Sequence, residues 1–180
     1  KFASRFHTQK SDPASDAEDL DRHVVIAGYG RVGQMLGRLL DKRDIPHIGI
    51  DLDPDRVAAL RATGRPVHFG DASRRDLMLA VGAQRAGAIA VTLNAPKDVE
   101  RLVTDLRQSW PGIPIFARAH DRAQARRLNK LGAQRVTPET VEISLHLAEG
   151  LLCQLGVPDE VARHIIEPER EAENLPIPPA

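Results

Sequence analysis

Three glycines, Gly28, Gly30 and Gly33, stand at the spacing G-x-G-x-x-G behind a short apolar run, Val24–Ala27. Each position has a physical reading. The first glycine permits a tight turn, the second lets the backbone approach a pyrophosphate, and the third lets a helix pack closely on a strand. The free N–H groups and the positive dipole end of the following helix then face an anion. Arg31 lies inside the loop, at the helix start, where a guanidinium pairs well with phosphate. Taken alone, the motif fits a plain strand-to-helix turn equally well, so its context decides.

Asp51 supplies that context, 18 residues beyond Gly33, at the end of the apolar run His47–Ile50. A carboxylate there accepts hydrogen bonds from both ribose hydroxyls and repels a 2′-phosphate, favouring NAD, AMP or ATP over NADP. Helix capping is the alternative role for an Asp in this position. Gly70-Asp71-Ala72 ends a third apolar run, where an adenine would lie, and Asn94 follows a fourth. Asn94 is placed to reach a nucleotide, or simply to start the turn before Pro96. All of these fall at the carboxyl ends of expected strands, where open α/β sheets bind ligands.

The elements that position these residues alternate. Strands are expected at 24–27, 47–50, 66–69, 86–92, 114–117 and 134–136. Helices are expected at 31–42, 54–63, 76–81, 98–110 and 121–131, bounded by signals such as the Asp53-Pro54 cap and the stops at Gly64, Gly82 and Gly132. This βαβα order predicts the α/β class, with a doubly wound parallel sheet covered by helices on both faces. Residues 139–155 then form the longest helical pattern. Val141, Leu145, Ala148, Leu152 and Leu155 make one apolar stripe, and Ile143, Leu147 and Leu151 a second. A helix apolar on two sides is buried on two sides. One side is expected on its own domain and the other on a partner chain, giving a homodimer through 139–155; the alternative is a helix sunk entirely in its own domain. A shorter helix is expected over 158–166. Residues 1–22, polar and without periodicity, read as a mobile linker, and the acidic, proline-rich 167–180 as a disordered tail.

Composition narrows the function. The 25 Lys and Arg balance the 25 Asp and Glu, so no basic footprint for nucleic acid exists. The single cysteine, Cys153, excludes an intramolecular disulfide and reads as a small interior residue. The seven histidines never fall at i, i+4, so no metal cluster is expected, and each reads as a surface or strand-end residue. No apolar run approaches the roughly 18 residues that span a bilayer. The only tyrosine, Tyr29, sits inside the glycine turn, which rules out a Tyr-x-x-x-Lys catalytic pair. A binding module is therefore expected rather than an enzyme. The alternative is an NAD-dependent oxidoreductase fragment lacking its catalytic domain.

Four stretches carry a family likeness: VVIAGYGRVGQ-x-x-GRLL, IDLDPDRV-x-x-LR, V-x-FGDAS-x-x-DLM-x-x-x-GA and IFARA-x-D. Over residues 22–166 the chain resembles the RCK domain (also called KTN or TrkA-N), most closely the type carried by Kef-like monovalent cation:proton antiporters. The resemblance implies a Rossmann-like lobe over 23–138 and C-terminal crossover helices that dimerise over 139–166. It also implies a membrane transporter domain in the same polypeptide, a place at the cytoplasmic face of the cell membrane, and gating of potassium/proton antiport; a stand-alone regulatory subunit of a potassium transporter or channel is the alternative it leaves open. The implied ligands are AMP or NAD(H), with ATP or ADP also in the family. By motif match, Gly28, Gly30, Arg31 and Gly33 hold phosphate, Asp51 the ribose, and Asp71 with Ala72 the adenine. Tyr29, Val32, Leu52, Asp53, Asn94 and Arg118 complete the expected contacts. Arg38 and Arg118 also match arginines that hold a glutathione adduct in some members. Here, however, the segment after the crossover helices is acidic and broken by proline, which speaks against glutathione gating.

Overall fold

The computed structural model describes residues 12–174. Six strands, β1 (Val24–Ala27), β2 (His47–Asp51), β3 (Val67–Phe69), β4 (Ala88–Val91), β5 (Ile115–Ala119) and β6 (Arg135–Pro138), form one sheet in the order β3-β2-β1-β4-β5-β6. Every neighbouring pair is parallel. The order reverses between β1 and β4, so the crevice of the doubly wound fold opens beyond Ala27 and Val91.

Helices cover the two faces unequally. Met78 of α4 (Arg75–Ala80), Leu102 and Leu106 of α5 (Pro96–Ser109) and Leu128 of α6 (Arg122–Lys130) pack on Val25, Ala27, Ile48, Ile89, Val91 and Ile115. On the opposite face, Leu36 and Leu40 of α2 (Arg31–Asp41) and Leu60 of α3 (Pro54–Ala62) cover Ile26, Val67 and Ala90. Phe116 pairs in register with Ala90 and so shares that second face, but it is 41% exposed. Asp53 caps α3 by accepting from the N–H groups of Asp55 (3.1 Å) and Arg56 (3.0 Å), with Pro54 in the first turn.

Three segments depart from the sequence expectation. Residues 13–17 form a docked helix, α1 (Pro13–Ala17), inside the stretch read as a mobile linker. Ala17 is buried, and Arg85 donates to the carbonyls of Ala17 (2.7 Å) and Leu20 (3.2 Å). Residues 1–11 of that linker lie outside the described residues. At the other end, α8 (Asp159–Asn174) runs well past 166, with Pro168 inside it. Arg170, two residues on, donates to Glu142 (3.1 Å) of α7 (Glu139–Gln154) and to Glu167 (2.7 Å). The disordered tail is thus helical up to 174, and 175–180 lie outside the described residues. Cys153, expected in the interior, is only half-buried on α7, where a hydrogen bond with the Asp159 carboxyl raises its pKa.

Three histidines are interior rather than superficial: His23, His47 and His68 are 0%, 5% and 3% exposed. His23 Nε2 donates to the Val81 carbonyl (2.8 Å), and its Nδ1 has no partner. His68 Nδ1 accepts from Arg61 (3.2 Å), while Nε2 faces Asp16 of α1 at 3.2 Å. Burial lowers both pKa values from 6.5, the Asp16 carboxylate opposing it at His68. The denatured chain therefore takes up these protons first. The stability that neutral His23 and His68 contribute is complete above about pH 6.5 and is lost as pH falls toward the depressed native values. Denaturant midpoints are expected to fall between pH 7 and pH 5, and less steeply in His23→Gln, whose amide still donates to Val81. A midpoint constant over that interval would contradict this.

Candidate functional site

The glycine turn is built by close contact. Gly28 adopts φ +93°, a conformation open chiefly to glycine. A Cβ at Gly33 would lie 2.3 Å from the Gly28 carbonyl oxygen, so only hydrogen fits there. A Cβ at Gly30 would meet nothing within 4 Å; it would project into open space. Thr92 donates to the Gly28 carbonyl and Gln34 to the Tyr29 carbonyl (3.2 Å), fixing the turn from both sides. Gly30 caps α2 without a side chain, so the first N–H groups of that helix remain available to an anion.

Asp51 is 7% exposed and fastens the turn to the end of β2. Its Oδ2 accepts from Tyr29 N (2.7 Å), and its Oδ1 from Asp53 N (2.9 Å) and Arg56 Nη1 (2.7 Å). Arg56 also reaches Asp53 Oδ2 at 2.9 Å. A carboxylate offers about four acceptor positions. Three donors are in place, so about one is left for a ribose hydroxyl while Arg56 stays, rather than the two expected from sequence. Arg56 itself escaped the sequence reading; its position one turn into α3 was the available signal.

Two chambers meet over Asp51. One, of about 340 Å³, is lined by Gly28, Asp51, Leu52, Asp71, Ala72, Ser73, Asn94, Asp98 and Arg101. The other, of about 320 Å³, is lined by Gly28, Gly30, Arg31, Val32, Asp51, Leu52, Arg56, Thr92, Asn94 and Arg118. The first holds three carboxylates and one guanidinium, the second three guanidinium groups and the shared Asp51. An anion therefore belongs on the glycine side and an uncharged ring on the other.

Most sequence-predicted residues are brought together here: Gly28, Gly30, Arg31, Val32, Asp51, Leu52, Asp71, Ala72, Asn94 and Arg118 line one chamber or both. Gly33 acts from beneath the turn. Asp53 caps α3 instead of facing a chamber. Tyr29 also departs from expectation, since its side chain turns away from the site. It is 1% exposed, wedged where a Cβ on Gly49 would come within 2.2 Å of the ring and one on Gly37 within 2.0 Å of its oxygen, and it hydrogen-bonds His47 Nε2 at 2.9 Å. Arg38, matched to glutathione contacts, is exposed on α2, near Met35 Sδ (3.5 Å) and outside both chambers. Among the described residues no cluster of three or more His, Cys, Asp or Glu is disposed to hold a metal, and no helix is long and apolar enough to cross a membrane.

Comparison with known proteins is consistent with this geometry. Residues 24–138 match the TrkA-N domain. The chain is 41% identical over 171 residues to K(+) efflux antiporter 2, chloroplastic, of Arabidopsis thaliana; the alignment covers 92% of this chain and 15% of the plant protein. The chain thus spans a small part of that relative's length. The AMP-bound form of the Shewanella denitrificans Kef CTD superposes with a TM-score of 0.75 at 32% identity, over 84% of this chain and 92% of that one. The TrkA-N domain of the inner membrane protein ybaL from Escherichia coli superposes with a TM-score of 0.69 at 31% identity, over 74% and 98% of the two chains. The chain belongs to the TrkA-N domain family.

Proposed function

We propose that this chain is a regulatory domain that binds an adenine nucleotide and gates potassium/proton antiport in the polypeptide that carries it, at the cytoplasmic face of the membrane. The observation that carries the reading is the opposed charge of two chambers joined over Asp51. In this reading the ligand phosphate lies on the first turn of α2 beside Arg31, a ribose hydroxyl bonds Asp51, and the adenine lies near Asp71 and Ala72. AMP, NAD(H) and ADP or ATP all meet that pattern; the AMP on the Shewanella Kef CTD supports the first. A 2′-phosphate would face the Asp51 carboxylate.

Gating requires a ligand whose affinity differs between two arrangements of the domain. A homodimer through α7 supplies such arrangements. Val141, Leu145 and Leu152 are half-buried in the chain's own packing, and α8 buries Ala162 and Ile166. Ile143, Leu147, Leu151 and Leu155 are 68%, 73%, 59% and 74% exposed, an apolar face without cover among the described residues. Full burial of such side chains contributes about 1.5–3 kcal/mol each, ample drive for association. Glutathione gating forms no part of this reading.

Two experiments follow. Gly30→Val adds a Cβ that meets no atom within 4 Å but is a poorer N-cap for α2, so the variant is expected to fold with a slightly lowered melting temperature and to lose AMP and NAD binding in calorimetry. Retained binding would move the phosphate elsewhere. Leu147→Glu, on the exposed face, is expected to convert a dimer into a folded monomer in sedimentation equilibrium. A wild-type monomer at high concentration, or an unaltered dimer in the variant, would reject the interface.

A further inference from the structure

The guanidinium of Arg118, on β5, borders the basic chamber with all three of its nitrogens engaged. Nε donates to the Leu93 carbonyl (3.2 Å) and Nη2 to Asn94 Oδ1, on the loop that lines both chambers. Nη1 lies 2.8 Å from Glu139 Oε1. Glu139 is the first residue of α7 and follows β6 without an intervening loop. It lines neither chamber. A single guanidinium thus has one edge in the cleft and another on the helix that carries the exposed apolar face.

We propose that Glu139 is a specificity-determining residue of the cleft: it competes with the outer phosphate of a nucleotide for Arg118, and so couples the phosphate charge of the ligand to the seating of α7. The proposal rests on the nucleotide-binding reading and adds to it a residue outside the cleft. Guanidinium grips phosphate best through two adjacent N–H groups in a fixed fork. With Nε on Leu93, Nη2 on Asn94 and Nη1 on Glu139, only two of the five N–H groups of Arg118 are left and its charge is already paired, so a phosphate gains its full grip when the carboxylate lets go. Glu139 is the partner most easily released, because its side chain is one-third exposed and water solvates it when freed. Ligands that carry charge as far as Arg118 therefore bind at the expense of the β5–α7 tie, whereas adenosine leaves it intact. By linkage, whatever holds α7 in place weakens the binding of those charged ligands by the same factor.

The test is calorimetry with ADP and with adenosine on wild type, Glu139→Gln, Arg118→Gln and the double variant. Glu139→Gln keeps the shape at the start of α7 and removes the charge. It is expected to tighten ADP about tenfold while changing adenosine by less than about twofold. In the Arg118→Gln background the same substitution is expected to have no effect. Unchanged ADP affinity, an equal gain for adenosine, or a gain that persists without Arg118 would each overturn the proposal; the last would mean a general field effect. A wild type that binds ADP while Glu139→Gln matches it defeats this proposal alone. A wild type that binds neither ligand defeats the nucleotide reading with it.

Discussion

Asp51 ties together the three segments on which the site depends. Its two oxygens hold the N–H of Tyr29 in the glycine turn, the N–H of Asp53 where β2 hands over to α3, and the guanidinium of Arg56 one turn later. A carboxylate this buried is costly unless its lone pairs are satisfied, and three charge-assisted bonds satisfy them. The same bonds fix the distance between the turn and the second strand. The carboxylate is thus a structural knot, and it lines both chambers.

The knot works because Tyr29 cannot shift. Its ring fills the space left by two absent side chains, at Gly37 and Gly49, and its hydroxyl ends on His47. The turn is therefore held at its backbone by Asp51 and from below by an aromatic wedge, while Thr92 and Gln34 hold its carbonyls. A turn built this way is pre-formed. What remains adjustable lies on its rim, where Arg56 and Arg118 each divide their donors between the chamber and a carboxylate outside it, Asp53 or Glu139.

The sequence made some of this legible. The glycine spacing, Asp51 and Gly70-Asp71-Ala72 were readable because each answers to a local backbone demand at a strand end. The same holds for the Asp53-Pro54 cap and for the alternation that yields the parallel sheet. What could not be read depends on partners distant in the chain. Tyr29 looked like a ligand contact because nothing local says that Gly37 and Gly49 make room for its ring. Helix α8 continues through Pro168 and docks on another helix, where Arg170 reaches Glu142. The docking of α1 depends on Arg85 and His68, roughly fifty to seventy residues away. Arg56 was hidden for a different reason: an arginine early in a helix is ordinarily a solvated charge, and only the fold turns it toward Asp51.

The proposed reading uses both the fixed turn and the ion pairs on its rim. The central claim is the polarity of the cleft, with phosphate on the glycine turn and adenine beyond Asp51. A crystal structure of the protein with AMP tests it most directly. The account predicts the phosphate on the N–H groups of the first turn of α2 beside Arg31, a ribose hydroxyl on Asp51, and the adenine beside Asp71 and Ala72. A nucleotide bound the other way round, or with its phosphate away from the glycine turn, would contradict it.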